Sequence, residues 1–584
     1  MPNTLSHLHT LNLTVVHHGK EWRYVLQTPS VQIGRGSHND ITLLEDNVSR
    51  NHARLSQTER GWQIEDLGSA NGTRVNGKAI TGVTVVTESD AIEISDAVLR
   101  FTPAQFPSAQ TQGLENDDTV LEATVIDTAH DLEQTASEEA LDVVVPNTHV
   151  ARIAIQFEGR IWEVPLTASL TARSLSIGRA PENDIVLNHP KVSRNHANIH
   201  RTDDGSIKVT DNHSANGTFI GNQKITQREL TGSESVRIGP ATLIYKPAFT
   251  PDQLGNPTPG LKARKPIVFI PGFMGSQLWL GDKLIWPSLK MLATQTELFK
   301  LPEQQPLTVK GLVEEVVVVP NLYKQEQYSQ MTDFLRESLG YEMDKDLLAF
   351  AYDWRKDLRL AAHQLKQQLE DWRKTLPNPT AKVILIAHSM GCLVARYFLD
   401  VLGGDQIAER VILMGGPHLG TPKSIMALLT GQGLLPFGLL GDQIRDALAT
   451  FPGAYQLLPI YPAVFDANDN PVDVFADPRW AAEPFRAHIA DAKKFRGELK
   501  PKASVPTLCI VGYGNKTVSK AVVQAGADGR WEHVKFIEDE EGDSTIPVSS
   551  AILEGAEFHP VHQSHGALFV DNDVRFRLKL ELVK

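Results

Sequence analysis

Cysteine is scarce in this chain, since only Cys392 and Cys509 occur among 584 residues. Two cysteines exclude a disulfide framework and argue against a cysteine-based metal site, which needs several thiolates at short spacing. Sparse cysteine is typical of proteins in a reducing compartment. We therefore expect a cytoplasmic protein that holds no metal and no cofactor.

Long apolar runs and an excess of basic residues are also missing. No stretch approaches the ~20 apolar residues of a membrane-spanning helix, and no signal peptide is predicted, because no basic segment precedes an apolar one at the N-terminus. The 57 Lys and Arg residues are outnumbered by 70 Asp and Glu, for a net charge of −13. This charge argues against nucleic acid as a partner, because sequence-independent binding needs a basic surface.

An internal repeat is the first organisational feature of the chain. The segment VQIGRGSHNDITLLEDNVSRNHARL (31–55) recurs as LSIGRAPENDIVLNHPKVSRNHANI (175–199), and GSANGTRVNGKAI (68–80) recurs as HSANGTFIGNQKI (213–225). Short alternating runs with Asn-Gly and Gly turns surround both copies, a pattern typical of antiparallel strands. The sequence therefore predicts two all-β sandwiches, over residues 10–103 and 151–248.

Two linkers are predicted around the second sandwich. Residues 101–151 contain no Lys or Arg but ten acidic residues, and like charges with little apolar surface predict a flexible acidic linker over 104–150. A Pro/Gly-rich linker is predicted over 249–264.

From residue 265 to 584 the pattern changes to alternating strands and helices. PIVFI, KVILIA, RVILMGG and PTLCIVGYG are short, continuously apolar runs, as expected of strands buried on both faces. LRLAAHQLKQQLEDWRKTL and GCLVARYFLDVL have helical spacing. The pattern predicts a mostly parallel sheet with helices on both faces.

The repeated motifs resemble those of forkhead-associated (FHA) domains, which implies phosphothreonine binding. An arginine offers a planar fork of donors to phosphate, and nearby serine and asparagine side chains add further donors. The resemblance implies contacts from one set of residues in each copy, and the neighbouring Arg50 and Arg194 add positive charge. The two sets are Arg35, Ser49, Arg50 and Asn71, and Arg179, Ser193, Arg194 and Asn216.

Other residues of the repeats have structural or open roles. His52 and His196 are expected to brace loops rather than to touch a ligand. Ala70 and Ala215 stand where many relatives have a hydroxyl residue, which weakens the expectation of binding.

A nucleophilic serine is predicted at Ser389. Ala387-His388-Ser389-Met390-Gly391 lies between an apolar strand and a helix, the context of a nucleophile elbow, with Ala in place of the first glycine. Such a serine needs a histidine base oriented by an acid, in the chain order Ser, acid, His.

Asp543 is the favoured acid, because it begins a turn after a strand-like segment, and its neighbours Glu538, Asp539, Glu540 and Glu541 are the alternatives. His565 is the favoured base, because it precedes the predicted last helix, and His562 is the alternative. Oxyanion donors are expected from the backbone N–H groups of Met390 and Phe273, with Met274 as the alternative to Phe273.

Seven ordered motifs of this half resemble the lecithin:cholesterol acyltransferase family of phospholipases and lipid acyltransferases. They are IPGFMGSQL, YDWRKDLR, AHSMG, GGPHLGTP, YQLLP, GDSTIP and the late histidine. The resemblance implies an α/β-hydrolase with an acyl-enzyme on Ser389 and a lipid or other ester as substrate, with possible peripheral membrane contact. Tyr352, Asp353, Trp354 and Arg355 are expected to be scaffolding near the site. The apolar insertion 276–326 forms either a cap or ordinary core.

The sequence thus predicts a serine esterase, lipase or acyltransferase recruited or regulated through FHA domains. The alternatives are a phosphopeptide-binding scaffold with a vestigial hydrolase, and a hydrolase of soluble esters. Partners are a phosphothreonine protein or the chain's own acidic linker, where Thr119 and Thr124 are each followed three residues later by an acidic residue. The alternative is that these threonines lie in a solvated spacer.

Overall fold

A computed structural model describes most of the chain, with the acidic linker as its largest gap. The described residues are 11–17, 20–26, 28–36, 39–43, 47–58, 61–102, 143–145, 148–166, 174–202, 205–232, 234–250, 252–255, 264–313, 315–319, 323–326, 328–434, 440–526, 528–539 and 541–582. Thr119 and Thr124 lie outside these ranges.

The first repeat folds into a sandwich of a seven-stranded and a five-stranded sheet. Its inward side chains, such as Leu13, Val15, Ile33 and Ile64, form a buried apolar core of their own. The strands are Leu11–His17, Lys20–Leu26, Ser30–Gly34, Ile41–Thr42, Ala53–Thr58, Gly61–Asp66, Thr73–Val75, Lys78–Ala79, Thr84–Val86, Ala91–Ile94, Ala97–Thr102 and Val143–Val145.

The second repeat forms an equivalent sandwich of a six-stranded and a five-stranded sheet. Ile153, Ile155, Ile177 and Val209 are among its buried core residues. The strands are Arg152–Phe157, Arg160–Pro165, Leu175–Gly178, Ile185–Val186, Ala197–Arg201, Ile207–Asp211, Thr218–Ile220, Gln223–Ile225, Gln227–Leu230, Ser235–Ile238 and Ala241–Lys246. Both predicted all-β sandwiches are confirmed.

Both linkers differ from the expectation where they meet folded structure. Val143–Val145, at the end of the predicted acidic linker, pairs in parallel with Tyr24–Leu26 of the first sandwich, because a run of β-branched residues favours an extended strand. In the Pro/Gly-rich linker, Phe249 is buried and its ring stacks on Phe576 at 4.2 Å between centroids. This apolar contact fixes the start of that segment.

The C-terminal half contains a six-stranded sheet in which every neighbouring pair of strands is parallel. In sheet order the strands are Leu347–Ala349, Ile267–Ile270, Val383–His388, Ala408–Met414, Thr507–Gly512 and Glu557–Val561. All residues of Val383–His388 are buried, as expected for a strand covered on both faces. The predicted α/β fold is confirmed.

Helices and small sheets complete this half. The helices are Asp252–Gly255, Leu289–Thr294, Ser329–Asp333, Leu358–Arg373, Gly391–Val401, Pro422–Thr430, Gly441–Leu448, Pro452–Tyr455, Arg486–Glu498, Val548–Ala551 and Asn572–Leu582, with shorter turns at Thr296–Leu298, Phe334–Ser338, Gly404–Gln406, Pro478–Trp480, Glu483–Phe485 and His565–Ala567. The additional strands are Ser276–Leu280, Lys283–Trp286, Thr308–Leu312, Glu315–Val319, Tyr323–Glu326, Val464–Asp466, Thr517–Ala525 and Trp531–Asp539. Within the described ranges, no helix combines the length and apolar character needed to cross a membrane.

Candidate functional sites

Ser389 occupies a sharp turn between the strand Val383–His388 and the helix Gly391–Val401, with a left-handed φ of 54°. Two glycines allow the neighbouring loop to approach this turn. A Cβ on Gly272 would lie 2.6 Å from the Cβ of Ser389, and a Cβ on Gly391 would lie 2.3 Å from the carbonyl oxygen of Pro271. Larger residues at either position would therefore push the loop away from the serine.

His565 lies between Ser389 and Asp543. Its Nε2 is 2.9 Å from Ser389 Oγ, and its Nδ1 is 2.7 Å from Asp543 Oδ2. The other oxygen of Asp543 accepts hydrogen bonds from the backbone N–H groups of Thr545 (3.0 Å) and Ile546 (2.6 Å). The buried carboxylate is thus fully hydrogen-bonded, and an arrangement of this kind can activate a serine for attack on an acyl group.

The alternative residues of the sequence analysis lie elsewhere. The ring of His562 stacks on Tyr513, with centroids 5.4 Å apart. Glu538 and Asp539 belong to the strand Trp531–Asp539, and Glu541 is exposed. Glu540 lies outside the described residues. The structure brings only Asp543 of the described acidic candidates to His565.

Backbone donors are available on the two loops that meet at Ser389. Within the described part of the chain, the N–H groups of Phe273, Met274 and Met390 have no hydrogen-bond acceptor. Met390 follows the serine directly, and Phe273 belongs to the loop that Gly272 brings against it. These N–H groups are therefore suited to stabilise an oxyanion.

The segment Tyr352–Arg355 supports that loop from behind. The hydroxyl of Tyr352 donates to the carbonyl oxygen of Pro271 at 3.0 Å. The ring of Trp354 packs edge-on against Phe273, with centroids 5.0 Å apart. Arg355 is fully buried and forms ion pairs with Asp353 and Glu303, which stabilises the segment.

Sequence reasoning missed a hydrogen-bonded pair, Tyr328 and His388, that connects the loop to His565. The Tyr328 hydroxyl accepts from the Gly272 N–H (2.7 Å) and lies 2.9 Å from Nδ1 of His388. Nδ1 accepts the Tyr328 proton, because in a neutral His388 ring the proton is on Nε2, which faces a carbonyl oxygen. Nε2 of His388 then donates to the backbone oxygen of His565 (3.2 Å). Burial lowers the pKa of His388 well below its ordinary value, which keeps the ring neutral, as this bonding requires. No sequence motif marks Tyr328.

An apolar pocket opens beside Ser389. Its wall includes Phe273, Ala427, Leu434, Leu448, Leu457 and Ile546. In the insertion 276–326, the side chains of Leu278, Trp286 and Leu292 are buried in the domain core. These three residues therefore form ordinary core rather than a cap. Leu292 and Phe299 also line an adjoining cavity that shares Phe273, Leu434 and Leu448 with the first.

Lys423 is a second residue that sequence reasoning missed. Its Nζ donates to the backbone oxygen of Ser544 at 2.9 Å and to Thr545 Oγ1 at 3.1 Å. These bonds tie the helix Pro422–Thr430 to the turn that carries Asp543.

In each sandwich, the side chains that are predicted to contact phosphate lie on adjoining loops. Ser49 Oγ accepts from the N–H of Ala70 (2.9 Å) and keeps its hydroxyl proton for donation, while Asn71 is exposed and fixed to the oxygen of Asn47 (2.7 Å). The Arg35 Nε donates to the oxygen of Val48 (3.0 Å), and Arg50 is exposed.

The second sandwich repeats this geometry. Ser193 Oγ accepts from the N–H of Ala215 (3.0 Å), and Asn216 donates to the oxygen of Lys191 (2.8 Å). Arg179 and Arg194 are exposed. The two sets of loops could therefore contact the same kind of ligand.

Two histidines brace these loops. His52 accepts from the Ser49 N–H (3.1 Å), and its other nitrogen is 3.3 Å from the oxygen of Gly72. His196 makes the equivalent bonds to Ser193 (3.0 Å) and Gly217 (3.2 Å). Burial lowers the pKa of both rings. Each histidine thus connects the serine loop to the asparagine loop, as the sequence analysis expects.

Comparison with known proteins assigns families to both halves. Residues 319–492 match the family described as lecithin:cholesterol acyltransferase, and residues 31–95 and 175–239 each match the FHA domain. The chain contains two FHA domains and a lecithin:cholesterol acyltransferase-family domain. The resemblance found in the sequence motifs is confirmed.

Individual relatives cover separate parts of the chain. A phospholipid:diacylglycerol acyltransferase 1 from Arabidopsis thaliana is 26% identical over 245 residues, 32% of this chain and 34% of that protein. A lysosomal phospholipase A and acyltransferase from Bos taurus is 25% identical over 224 residues, 31% of this chain and 54% of that protein. The FHA domain-containing protein FhaB from Mycolicibacterium smegmatis is 35% identical over 81 residues, 14% of this chain and 52% of that protein. The chain thus spans from a third to about half of the length of these relatives.

The Tyr328 hydroxyl provides a test of how the loop is held. Tyr328→Phe leaves two buried groups, the Gly272 N–H and His388 Nδ1, without their partner, and we predict a loss of about 1–3 kcal/mol in the free energy of unfolding of this domain. Urea unfolding followed by tryptophan fluorescence measures the loss.

Tyr341→Phe is the matched control. Tyr341 is also buried, but its hydroxyl has no hydrogen-bond partner within the described residues, so its removal should leave the unfolding midpoint unchanged or raise it. Equal midpoints for the two variants would contradict the role given to Tyr328.

Proposed function

We propose that the C-terminal domain is a serine esterase or lipase, of the phospholipase or O-acyltransferase type, and that the FHA domains recruit or regulate it by binding phosphothreonine. The observation that carries the proposal is the continuous series of hydrogen bonds from Ser389 Oγ through His565 to Asp543, at 2.9 and 2.7 Å. Three residues far apart in the sequence meet there in the order that a nucleophile, a base and an orienting acid require.

In the proposed mechanism, Ser389 Oγ attacks the acyl carbonyl carbon while Nε2 of His565 takes the hydroxyl proton. The carbonyl electron pair moves to oxygen, and the resulting oxyanion accepts hydrogen bonds from the N–H groups of Phe273 and Met390. His565 then protonates the leaving alcohol as the ester C–O bond breaks, which leaves an acyl-enzyme. Water or a second alcohol, deprotonated by His565, attacks the acyl-enzyme and regenerates Ser389.

An acyl chain is the substrate group that suits the apolar pocket, and the family resemblance implies a long one. Its wall begins at Ser389 and is mostly apolar, with Thr421, Lys423, Ser424 and Thr545 as the other polar lining residues. An acyl chain can therefore leave water as its carbonyl reaches the serine. The acyltransferase and phospholipase relatives agree with this choice by their names. Both hydrolysis and transfer to an alcohol follow from the same acyl-enzyme.

The proposed phosphothreonine site of each FHA domain combines one arginine fork with a serine hydroxyl and an asparagine amide. The guanidinium supplies charge-assisted hydrogen bonds to phosphate, and the asparagine can hold the ligand backbone. The residues are Arg35, Ser49, Arg50 and Asn71 in the first domain, and Arg179, Ser193, Arg194 and Asn216 in the second. The acidic linker, through Thr119 or Thr124, is one proposed ligand, because tethering would raise its effective concentration to roughly millimolar.

Removal of the nucleophile is the first test of the proposed enzyme. Ser389→Ala should abolish labelling by a fluorophosphonate probe and lower ester turnover by ~10⁴-fold or more, as loss of a triad serine does. His565→Ala and Asp543→Asn should also lose most activity. Probe gels and ester kinetics measure both effects.

His562→Ala is the matched control for this test, because the His562 ring stacks on Tyr513. It should keep near wild-type turnover. Labelling that survives in Ser389→Ala, or a loss of activity confined to His562→Ala, would show that the assignment is wrong.

A change in pocket size tests the substrate. Ala427 is buried in the pocket wall, and Ala427→Leu should narrow it. We predict that kcat/KM for a C16 ester falls by about tenfold, roughly the effect of one or two displaced methylenes, while kcat/KM for an acetate ester changes little. The exposed helical position Ala490 provides the control, Ala490→Leu. An enzyme that accepts only short esters, or equal losses on both esters, would refute the lipid proposal.

Phosphopeptide titration tests the FHA sites. Linker peptides phosphorylated at Thr119 or Thr124 are titrated into the full chain. The first FHA site is examined in a variant that lacks Arg179, and the second in a variant that lacks Arg35. Loss of Arg179 or Arg35 should weaken binding about 10–100-fold, the effect of one or two charged hydrogen bonds.

Arg228→Ala, on the strand Gln227–Leu230, is the control variant for this titration and should bind like wild type. Equal binding of the unphosphorylated peptide, or binding that persists without both Arg35 and Arg179, would remove the proposed site.

A further inference from the structure

The second FHA domain is joined to the α/β-hydrolase domain through buried charges. Lys246 Nζ lies 2.8 Å from Asp573 Oδ2, and Arg152 Nη2 lies 3.0 Å from the same oxygen. The three side chains are only 1%, 8% and 6% exposed. A buried carboxylate is stable only when it is paired and hydrogen-bonded, so Asp573 depends on both residues of the FHA domain.

Opposite charges balance within this group. Glu163, also from the second FHA domain, lies 2.6 Å from Lys246 Nζ and 3.3 Å from Arg152 Nε. Two cations therefore contact two carboxylates. The carboxyl of Asp571 is buried beside them, and burial together with Asp573 raises its pKa, which favours its neutral form. Lys246 and Arg152 hold the pKa of Asp573 below its ordinary value, although burial opposes this shift. Removal of a single charged side chain would leave a neighbouring charge buried without an ion-pair partner.

Asp573 belongs to the first turn of the helix Asn572–Leu582, which Asp571 caps. Asp571 Oδ1 accepts from the N–H groups of Asp573 (2.8 Å) and Val574 (3.1 Å). Its other oxygen accepts from the Gln563 amide at 3.2 Å. Gln563 in turn accepts from the N–H of Ser564 at 3.2 Å, and the next residue is His565.

We infer that the second FHA domain positions His565: Lys246 and Arg152 fix the start of the last helix, and Asp571 and Gln563 transmit that position to the loop that carries the histidine. The inference rests on the proposed role of His565 as the base. Its consequence is that the hydrolase works only with the second FHA domain in place. That domain is then part of the catalytic unit, and Lys246 and Asp573 are positioning residues.

The loops that carry the proposed phosphothreonine site of the second FHA domain lie at the end of that domain away from Lys246 and Arg152. Arg152 pairs with Lys246 at one end of the sheet, whereas Thr218, which follows the Asn216 loop, pairs with Ile238 at the other end. A Cβ on Gly239, at that second end, would lie 3.0 Å from Val192, which precedes Ser193. The proposed phosphothreonine site therefore lies opposite the charged interface.

A second substitution that restores the charge balance tests the inference. If Lys246 and Asp573 acted only through packing, the double variant would not recover. In the full chain, Lys246→Met and Asp573→Asn each leave the buried group with one unbalanced charge. Each should lower the maximal rate of fluorophosphonate labelling at Ser389 by about tenfold or more, with little change in probe affinity. The double variant loses more contacts but restores the balance, so its labelling rate should return to within about threefold of wild type.

Two controls isolate the effect. Lys208→Met removes a cation from another strand of the same domain, Ile207–Asp211, and should be labelled at the wild-type rate. Lys246→Arg keeps the positive charge and should retain most of the wild-type labelling rate. Hydrogen exchange at the amides of Ser564 and His565 should accelerate more in both single variants than exchange at the amides of the buried strand Val383–His388. The difference separates an effect on the loop from a loss of global stability.

Wild-type labelling rates and exchange in both single variants would overturn the inference, as would a double variant slower than either single one. Labelling that survives in Ser389→Ala would instead contradict the proposed enzyme, so the two failures are distinguishable.

Discussion

The left-handed turn at Ser389 is the constraint on which the rest of the site depends. A non-glycine residue in this conformation costs about 1–3 kcal/mol and persists only where its surroundings hold it. Here the strand Val383–His388 is buried along its whole length, and the helix Gly391–Val401 is buried over most of its surface. Neither element can shift to relax the turn, so the serine hydroxyl stays directed at the loops above the sheet.

The loops around this turn are held by bonds that connect them to one another. The Tyr328 hydroxyl accepts a hydrogen bond from the N–H of Gly272, and His388 donates one to the backbone oxygen of His565. One buried pair therefore spans both sides of Ser389. A displacement of the loop that carries Gly272 and Phe273 would break a bond of the same pair that supports His565, and this linkage favours a single arrangement of the site.

The fold and much of the site could be predicted from sequence because their signals are local. The repeated Gly-Arg, Ser-Arg-Asn-His and Asn-Gly motifs, and the strand–serine–helix pattern, each occupy a few adjacent residues. Asp543 and His565 follow from chain order and from the elements beside them. In contrast, Tyr328 is 60 residues from His388, and neither its spacing nor its neighbours mark it.

The strand Glu557–Val561 was also not predicted. Its sequence, EFHPV, contains a proline and no clear alternation, and a proline is tolerated here because the strand lies at the edge of the sheet. Interdomain contacts are the least predictable, because a lysine at the end of an FHA strand carries no sign of a partner 327 residues away.

The start of the last helix is where the three domains meet. Asn572 donates to Asp40 of the first FHA domain at 2.9 Å, and the next residue, Asp573, pairs with Lys246 of the second. The two contacts differ in charge, because Asn572 is a neutral donor although it is buried, whereas Asp573 is a buried carboxylate that is stable only when it is paired. Loss of the second domain would therefore leave an unpaired charge at this helix, whereas loss of the first would leave an unpaired neutral amide. A phosphoprotein bound to the second domain would then be held at a fixed position relative to Ser389.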